Sequence, residues 1–192
     1  MIDLWNTLPV NPSRKYTTRR YKDIEYIVVH CIDAEDWTAQ KLNNFCTGID
    51  CTPDDFSDDL KYPRHEPTCS YHDYFRQDGT WYHMVDYHVK TWHVGRWNRK
   101  CIGVALEYIP RPNHYPSDPM MQTLVEYLAI AIFCLSISPQ KIIGHREVPG
   151  TPKECPGKLI NLDDLRESVN EYVRENRDRV LASNPQPFRR MT

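Results

Sequence analysis

Within residues 142–157, His145 and Cys155 have the chemistry of metal ligands and lie ten residues apart. Pro149, Gly150, Pro152, Pro156 and Gly157 interrupt any regular structure there, so the segment reads as a loop able to bend both side chains onto one ion. An imidazole nitrogen and a thiolate sulfur suit Zn²⁺, and a zinc that does chemistry takes three protein ligands and leaves its fourth position to water. Lys153, two residues before Cys155, would favour the thiolate and hold a developing oxyanion. The spacing alone has little specificity, and both residues also read as ordinary loop side chains. A third ligand has to come from elsewhere.

The elements that must position them alternate between strand and helix patterns. Residues 24–32 are a continuous β-branched and aromatic run, the pattern of a buried central strand. His30 stands at its C-terminal end, where α/β sheets gather ligand-binding groups, which makes it the natural third ligand. A helix follows, with Asp36 as its cap and Leu42, Phe45, Cys46 and Ile49 on one face. Residues 71–76 and 81–86 read as a hairpin around an Asp78-Gly79 turn. An aromatic loop containing Trp92, His93 and Asn98 leads into a second buried strand over residues 101–109.

After a turn-rich connection, Asp118 and Pro119 open a long helix with Met121, Leu124, Val125, Leu128, Ile132 and Leu135 on one stripe. Residues 140–143 form a short strand that delivers His145 to the same edge as His30, and a final helix starts near Asn161 and fades around Arg179. The chain thus reads as one α/β domain: a mixed central sheet of about five strands flanked by about three helices, with the ligands at one sheet edge. Residues 1–23 read as an extended arm, 24–180 as the domain, 50–69 as an acidic surface insertion and 181–192 as a flexible tail.

Composition narrows the classes. A length of 192 residues with 40% hydrophobic content supports one well-buried core, and a net charge of −2 gives no general case for nucleic-acid or anionic-membrane binding. The start of the chain lacks a secretory signal pattern, and the apolar run over residues 124–135 is too short and too interrupted to span a bilayer. Seven cysteines without such a signal suggest reduced thiols, with Cys31, Cys101 and Cys134 as small core residues. Cys46, Cys51, His65 and Cys69 have loosely finger-like spacing that would allow a second metal, though a plain loop fits as well. Asp54, Asp55, Asp58 and Asp59 lack the order of a calcium loop and read as a solvated face.

Taken in order, five stretches resemble the type 2 family of N-acetylmuramoyl-L-alanine amidases, which includes amidase-type phage lysozymes and peptidoglycan recognition proteins. They are Tyr-Ile-Val-Val-His30, Ser-Tyr71-His-Asp-Tyr-Phe-Arg, Trp-His93-Val-Gly-Arg-Trp-Asn98, Cys-Ile-Gly-Val-Ala-Leu-Glu107, and Gly-His145-Arg-Glu through Lys153-Glu-Cys155-Pro-Gly. The resemblance implies a zinc hydrolase that cuts the amide between N-acetylmuramic acid and L-alanine, with His30, His145 and Cys155 as metal ligands. It places Tyr71 where a phenol orients or deprotonates the attacking water, and Lys153 where an ammonium stabilises the oxyanion. His93, Trp92 and Asn98 would line the substrate groove, whereas His72, His83, His88 and His114 have no catalytic part.

Two positions depart from the family pattern. Cys155 stands where many bacterial members have aspartate, which places the chain nearer the phage lysozymes and recognition proteins, and Ile32 stands where a small hydroxylic residue is common. Recognition members that have lost the metal cysteine only bind, so Cys155 favours catalysis. The reading that follows is a monomeric phage endolysin, made in the host cytoplasm and reaching peptidoglycan once the membrane is opened. Alternatives are a cytosolic muropeptide-recycling amidase and a non-catalytic module that binds peptidoglycan or, through the basic arm over residues 14–22, regulates an RNA polymerase.

Overall fold

Strand β3 (Tyr26–Cys31) is bonded along both edges, in parallel to β7 (Cys101–Leu106) over its full length and to β8 (Ile142–Gly144) over three residues. The computed structural model describes residues 1–51 and 64–182, so Asp54, Asp55, Asp58, Asp59 and the chain beyond residue 182 lie outside the described residues. Among these, the hairpin β4 (Asp73–Phe75) and β5 (Trp81–His83) continues the sheet, with β4 parallel to β7, and β1 (Ile2–Asp3) pairs with β5. The result is a mixed six-stranded sheet in the order β1-β5-β4-β7-β3-β8. The sixth strand, β1, comes from the N-terminal segment, whose two paired residues carry too little pattern to be read as a strand. A separate two-stranded ribbon joins β2 (Thr17–Thr18) to β6 (Val89–Lys90).

Alternation along the strands divides the core. Ile27 and Val29 of β3, with Ile102, Val104 and Leu106 of β7, face α2 (Asp118–Leu135) and α3 (Leu162–Glu175), where they pack against Leu124, Leu128 and Leu165. Each of these side chains contributes about 1.5–3 kcal/mol on leaving water. The opposite face carries Tyr74 and Ala105 under α1 (Ala39–Thr47), whose Leu42, Phe45 and Cys46 are buried. By length and apolarity α2 could cross a membrane, but Leu124, Tyr127, Leu128 and Ala131 are fully buried between sheet and α3. A short helix, α4 (Arg177–Ala182), follows α3 and buries Val180, so helical structure runs past Arg179 and into the expected tail.

Local signals explain the boundaries, with one correction. The cap of α1 is Thr38, whose hydroxyl accepts from the Lys41 N–H at 3.1 Å; Asp36 lies outside the helix with φ of 58°. Ser117 caps α2 and Asn161 caps α3, ahead of the acidic first turn of Asp163 and Asp164. Gly79 turns the hairpin at φ of 83°. Within the basic arm, Arg19 is buried and spends its guanidinium on the carbonyls of Tyr87, Asn98 and Cys101 and on the His72 ring.

A buried polar knot ties the hairpin to α2. Asp73 is fully buried and meets the Trp81 indole N–H at 2.8 Å, the His83 Nδ1 at 3.1 Å and the Tyr127 hydroxyl at 2.8 Å. Asp73→Ala would strand these groups and is expected to cost about 3 kcal/mol, read from the urea unfolding midpoint. A loss under about 1 kcal/mol would mean that the three groups find other partners.

Candidate metal centre

His30 projects from β3 onto the α1 face, opposite the Ile27 and Val29 side, and is 1% exposed. His145 begins the turn directly after β8, and Cys155 lies on the loop that follows; both are half-buried. One ligand atom from each of the three lies within 4.8 Å of the others, the one such group among the described residues. His30 Nδ1 is 3.8 Å from Cys155 Sγ, and the two imidazole rings lie 4.6 Å apart. Two imidazoles and a thiolate converging at a half-open position fit zinc, which takes three such ligands and keeps one position free.

Protonation favours the same use. Burial pushes the His30 imidazole below its ordinary value, towards the neutral form a metal needs. The Cys31 thiol first, then the His145 and His30 imidazoles, hold Cys155 far below the usual thiol range, against the effect of burial. Cys31 N–H also donates to Cys155 Sγ at 3.2 Å.

The irregular loop is held by charged side chains that the motif reading passed over. Arg146 N–H donates to the Cys155 carbonyl at 2.9 Å, and its guanidinium reaches the carbonyls of Gly157 and Ile160. Glu147 accepts from Gly144 N–H at 2.9 Å and from Arg166 at 2.7 Å, while Arg166 also donates to the Ile142 carbonyl at 2.8 Å. Helix α3 is thereby fastened to the end of β8. Gly144 permits the close approach, since a Cβ there would come within 2.8 Å of Leu162 and 3.0 Å of Pro156. Arg146 and Glu147 directly follow His145 and were visible as a pair; Arg166, in another helix, was not.

The residues expected in the groove separate. Trp92 is 52% exposed, with the Lys90 ammonium 5.8 Å over its ring. It rims a cavity of about 340 Å³ with Arg14, Lys15, Arg64 and His65. His93 instead lies behind His30, its Nδ1 2.9 Å from His30 Nε2. Asn98 is buried and accepts from the His93 and Val94 N–H groups at 3.0 and 2.7 Å, fixing the loop that carries His93. A Cβ on Gly103 would come within 2.8 Å of the His93 ring, so glycine makes room for it. Neither His93 nor Asn98 forms an exposed groove wall. A larger apolar hollow of about 580 Å³ lies between α2 and α3, away from the three ligands.

Tyr71 is buried with its ring 5.1 Å from that of His30. Burial pushes its phenol above the ordinary range even though the Arg64 guanidinium reaches it, so it stays a hydrogen-bond donor. Arg64 also donates to Ser70 at 3.1 Å, and Ser70 to Glu66. Lys153 stands exposed on the Cys155 loop, and among the described residues its ammonium has no hydrogen-bond or ion-pair partner.

The second metal grouping does not assemble among the described residues. Cys46 and Cys69 sulfurs lie 3.8 Å apart, but Cys51 donates to the Asn44 carbonyl at 2.9 Å and His65 rests over Gly48. No disulfide joins any of the seven cysteines. Cys31, read from the sequence as a small core residue, in fact touches the sulfur of Cys155. Because His93 fixes the ring of His30 through its outer nitrogen, His93→Ala is expected to weaken zinc binding about 10–100-fold in competition with a chelating dye. Unchanged affinity would show that His30 needs no such support.

Several solved structures share the fold. An N-acetylmuramoyl-L-alanine amidase LysC from Clostridium intestinale URNW is 19% identical, with 88% of this chain and 96% of that chain covered at a TM-score of 0.67. The Ph2119 endolysin from Thermus scotoductus MAT2119 bacteriophage Ph2119 is 19% identical over 88% and 97%, at 0.62. Drosophila PGRP-LB is 17% identical over 90% and 91%, at 0.61. At this identity the likeness is one of fold. No curated protein matches in sequence. The family model for N-acetylmuramoyl-L-alanine amidase matches residues 20–158, a span that contains His30, Tyr71, His145, Lys153 and Cys155. The chain belongs to the type 2 N-acetylmuramoyl-L-alanine amidase family.

Proposed function

We propose that the protein is a zinc-dependent hydrolase of the amide between N-acetylmuramic acid and L-alanine of peptidoglycan, acting as a phage endolysin. The observation that carries the reading is the convergence of His30, His145 and Cys155 beside Tyr71. Family membership and the endolysin-like fold support it. Retention of both imidazoles and the thiolate favours catalysis over mere binding, although the fold is shared with a recognition protein as well. On this reading the protein acts on the wall after the membrane opens.

Bound zinc would supply Lewis acidity, polarising the scissile carbonyl and acidifying a water. The chain's own groups do the rest. His93 holds the orientation of His30, and the Cys31 N–H keeps Cys155 in place. Tyr71, kept protonated by burial, donates a hydrogen bond that orients the attacking water; a base role would need a phenolate that this environment opposes. Lys153 meets the oxyanion, a role supported by its unpaired ammonium on the same loop as Cys155. Trp92 offers an exposed aromatic face to glycan or peptide at the rim.

Purified sacculi incubated with the protein and zinc should release stem peptides beginning at L-alanine, identified by mass spectrometry. Chelator or Cys155→Ala should abolish release. Tyr71→Phe should lower kcat about 100-fold, and Lys153→Met about 100–1,000-fold, each with little change in zinc affinity. Binding to sacculi without any release would overturn the hydrolase reading, and release from soluble fragments alone would favour a recycling amidase.

A further inference from the structure

The sulfur of Cys155 rests on Cys31: it lies 3.7 Å from the Cys31 sulfur, 3.2 Å from its backbone nitrogen and 3.9 Å from its carbonyl oxygen. Both residues are half-buried. Cys46 and Cys69 form a second pair with a similar separation of 3.8 Å, but both are fully buried. Equal distance and unequal access single out the first pair. A disulfide spans about 2.05 Å between sulfurs. Cys155 lies on a proline- and glycine-rich loop and Cys31 at the last residue of β3, so closing the gap asks for movement of the loop side chain and not of the strand.

We propose that Cys31 and Cys155 are an oxidisable pair, a disulfide-forming modification site at which closing the bond withdraws Cys155 from the metal ligands. With hydrogen peroxide as oxidant, the Cys155 sulfur attacks one peroxide oxygen, the O–O bond breaks, and water leaves behind a sulfenic acid. The Cys31 sulfur then attacks that sulfur, its proton leaves with the hydroxyl as a second water, and the S–S bond forms. Two thiols lose two electrons and two protons; one peroxide becomes two waters. A disulfide sulfur is no longer a thiolate ligand, so two imidazoles remain. Metal binding and oxidation exclude each other, because both consume the same sulfur. The consequence for metal rests on the proposed zinc site, whereas formation of the bond does not.

The test treats the full chain, metal-free and zinc-loaded, with hydrogen peroxide, then maps cross-linked peptides by mass spectrometry and titrates zinc against a chelating dye. The metal-free protein should yield a Cys31–Cys155 cross-link and bind zinc at least about tenfold more weakly, with recovery on treatment with a dithiol. Bound zinc should slow the cross-link. Cys31→Ser and Cys31→Ala, each compared with its own untreated form, should give no cross-link at Cys155 and should instead stop at a Cys155 sulfenic acid that a sulfenic-acid-specific reagent captures. A Cys46–Cys69 cross-link forming first, no cross-link at all, or no sulfenic acid trapped at Cys155 in either Cys31 variant would overturn the proposal. A cross-link in a protein that never bound zinc would keep the pair and remove the metal reading instead.

Discussion

The parallel ladder in which β3 is bonded to β7 on one edge and β8 on the other is the constraint on which the rest depends. It aligns His30 with Ala105 and runs Val29 beside Gly144, one residue before His145. Because side chains alternate, a slip of one residue would turn His30 into the α2 face and Val29 into the site. Burial on both sides opposes that slip, since Ile27 and Val29 are already locked beneath α2 and α3. The hydrophobic core therefore does more than stabilise the domain. It selects the register that brings two ligands to one sheet edge.

Placing a histidine in such a ladder carries an electrostatic cost that the surrounding shell offsets. An unpartnered buried polar group costs about 1–3 kcal/mol, and His93 meets the outer nitrogen of His30 at 2.9 Å. His93 is held in turn through Asn98, whose carbonyl accepts from Arg19 at 2.8 Å. Part of the N-terminal segment thus reaches His30 through one chain of hydrogen bonds. On the other side, Arg166 joins Ile142, Glu147 and Asp163, so α3 steadies a loop that has no regular structure of its own.

The site is asymmetric as a result. One wall is β3 and its buried supports, where His30 has no freedom. The other is a loop whose backbone is anchored by Arg146 but whose Cys155 side chain faces both the imidazoles and Cys31. Rigid geometry on one side and a loop-borne sulfur on the other fit the proposed zinc site and the proposed oxidisable pair alike.

Much of this was legible in the sequence. The continuous run over residues 24–32, the Asp78-Gly79 turn, the helix starting near Asn161 with its acidic first turn and the loop from His145 to Cys155 each follow from local rules of periodicity, turn chemistry and helix-end electrostatics, which a short window contains. The six-residue ladder of β3 with β7 was readable as two buried strands, though not as partners. What only the tertiary structure decided is which residues meet across long separations. Ile2 and Asp3 become a strand only because β5 offers an edge, His93 turns inward because Gly103 leaves room, and Cys31 meets Cys155 only when β3 and the last loop share one end of the sheet. Local propensity depends on a few neighbouring residues and is written along the chain; the partner of a buried nitrogen or sulfur depends on register and packing, which exist only once the core has formed.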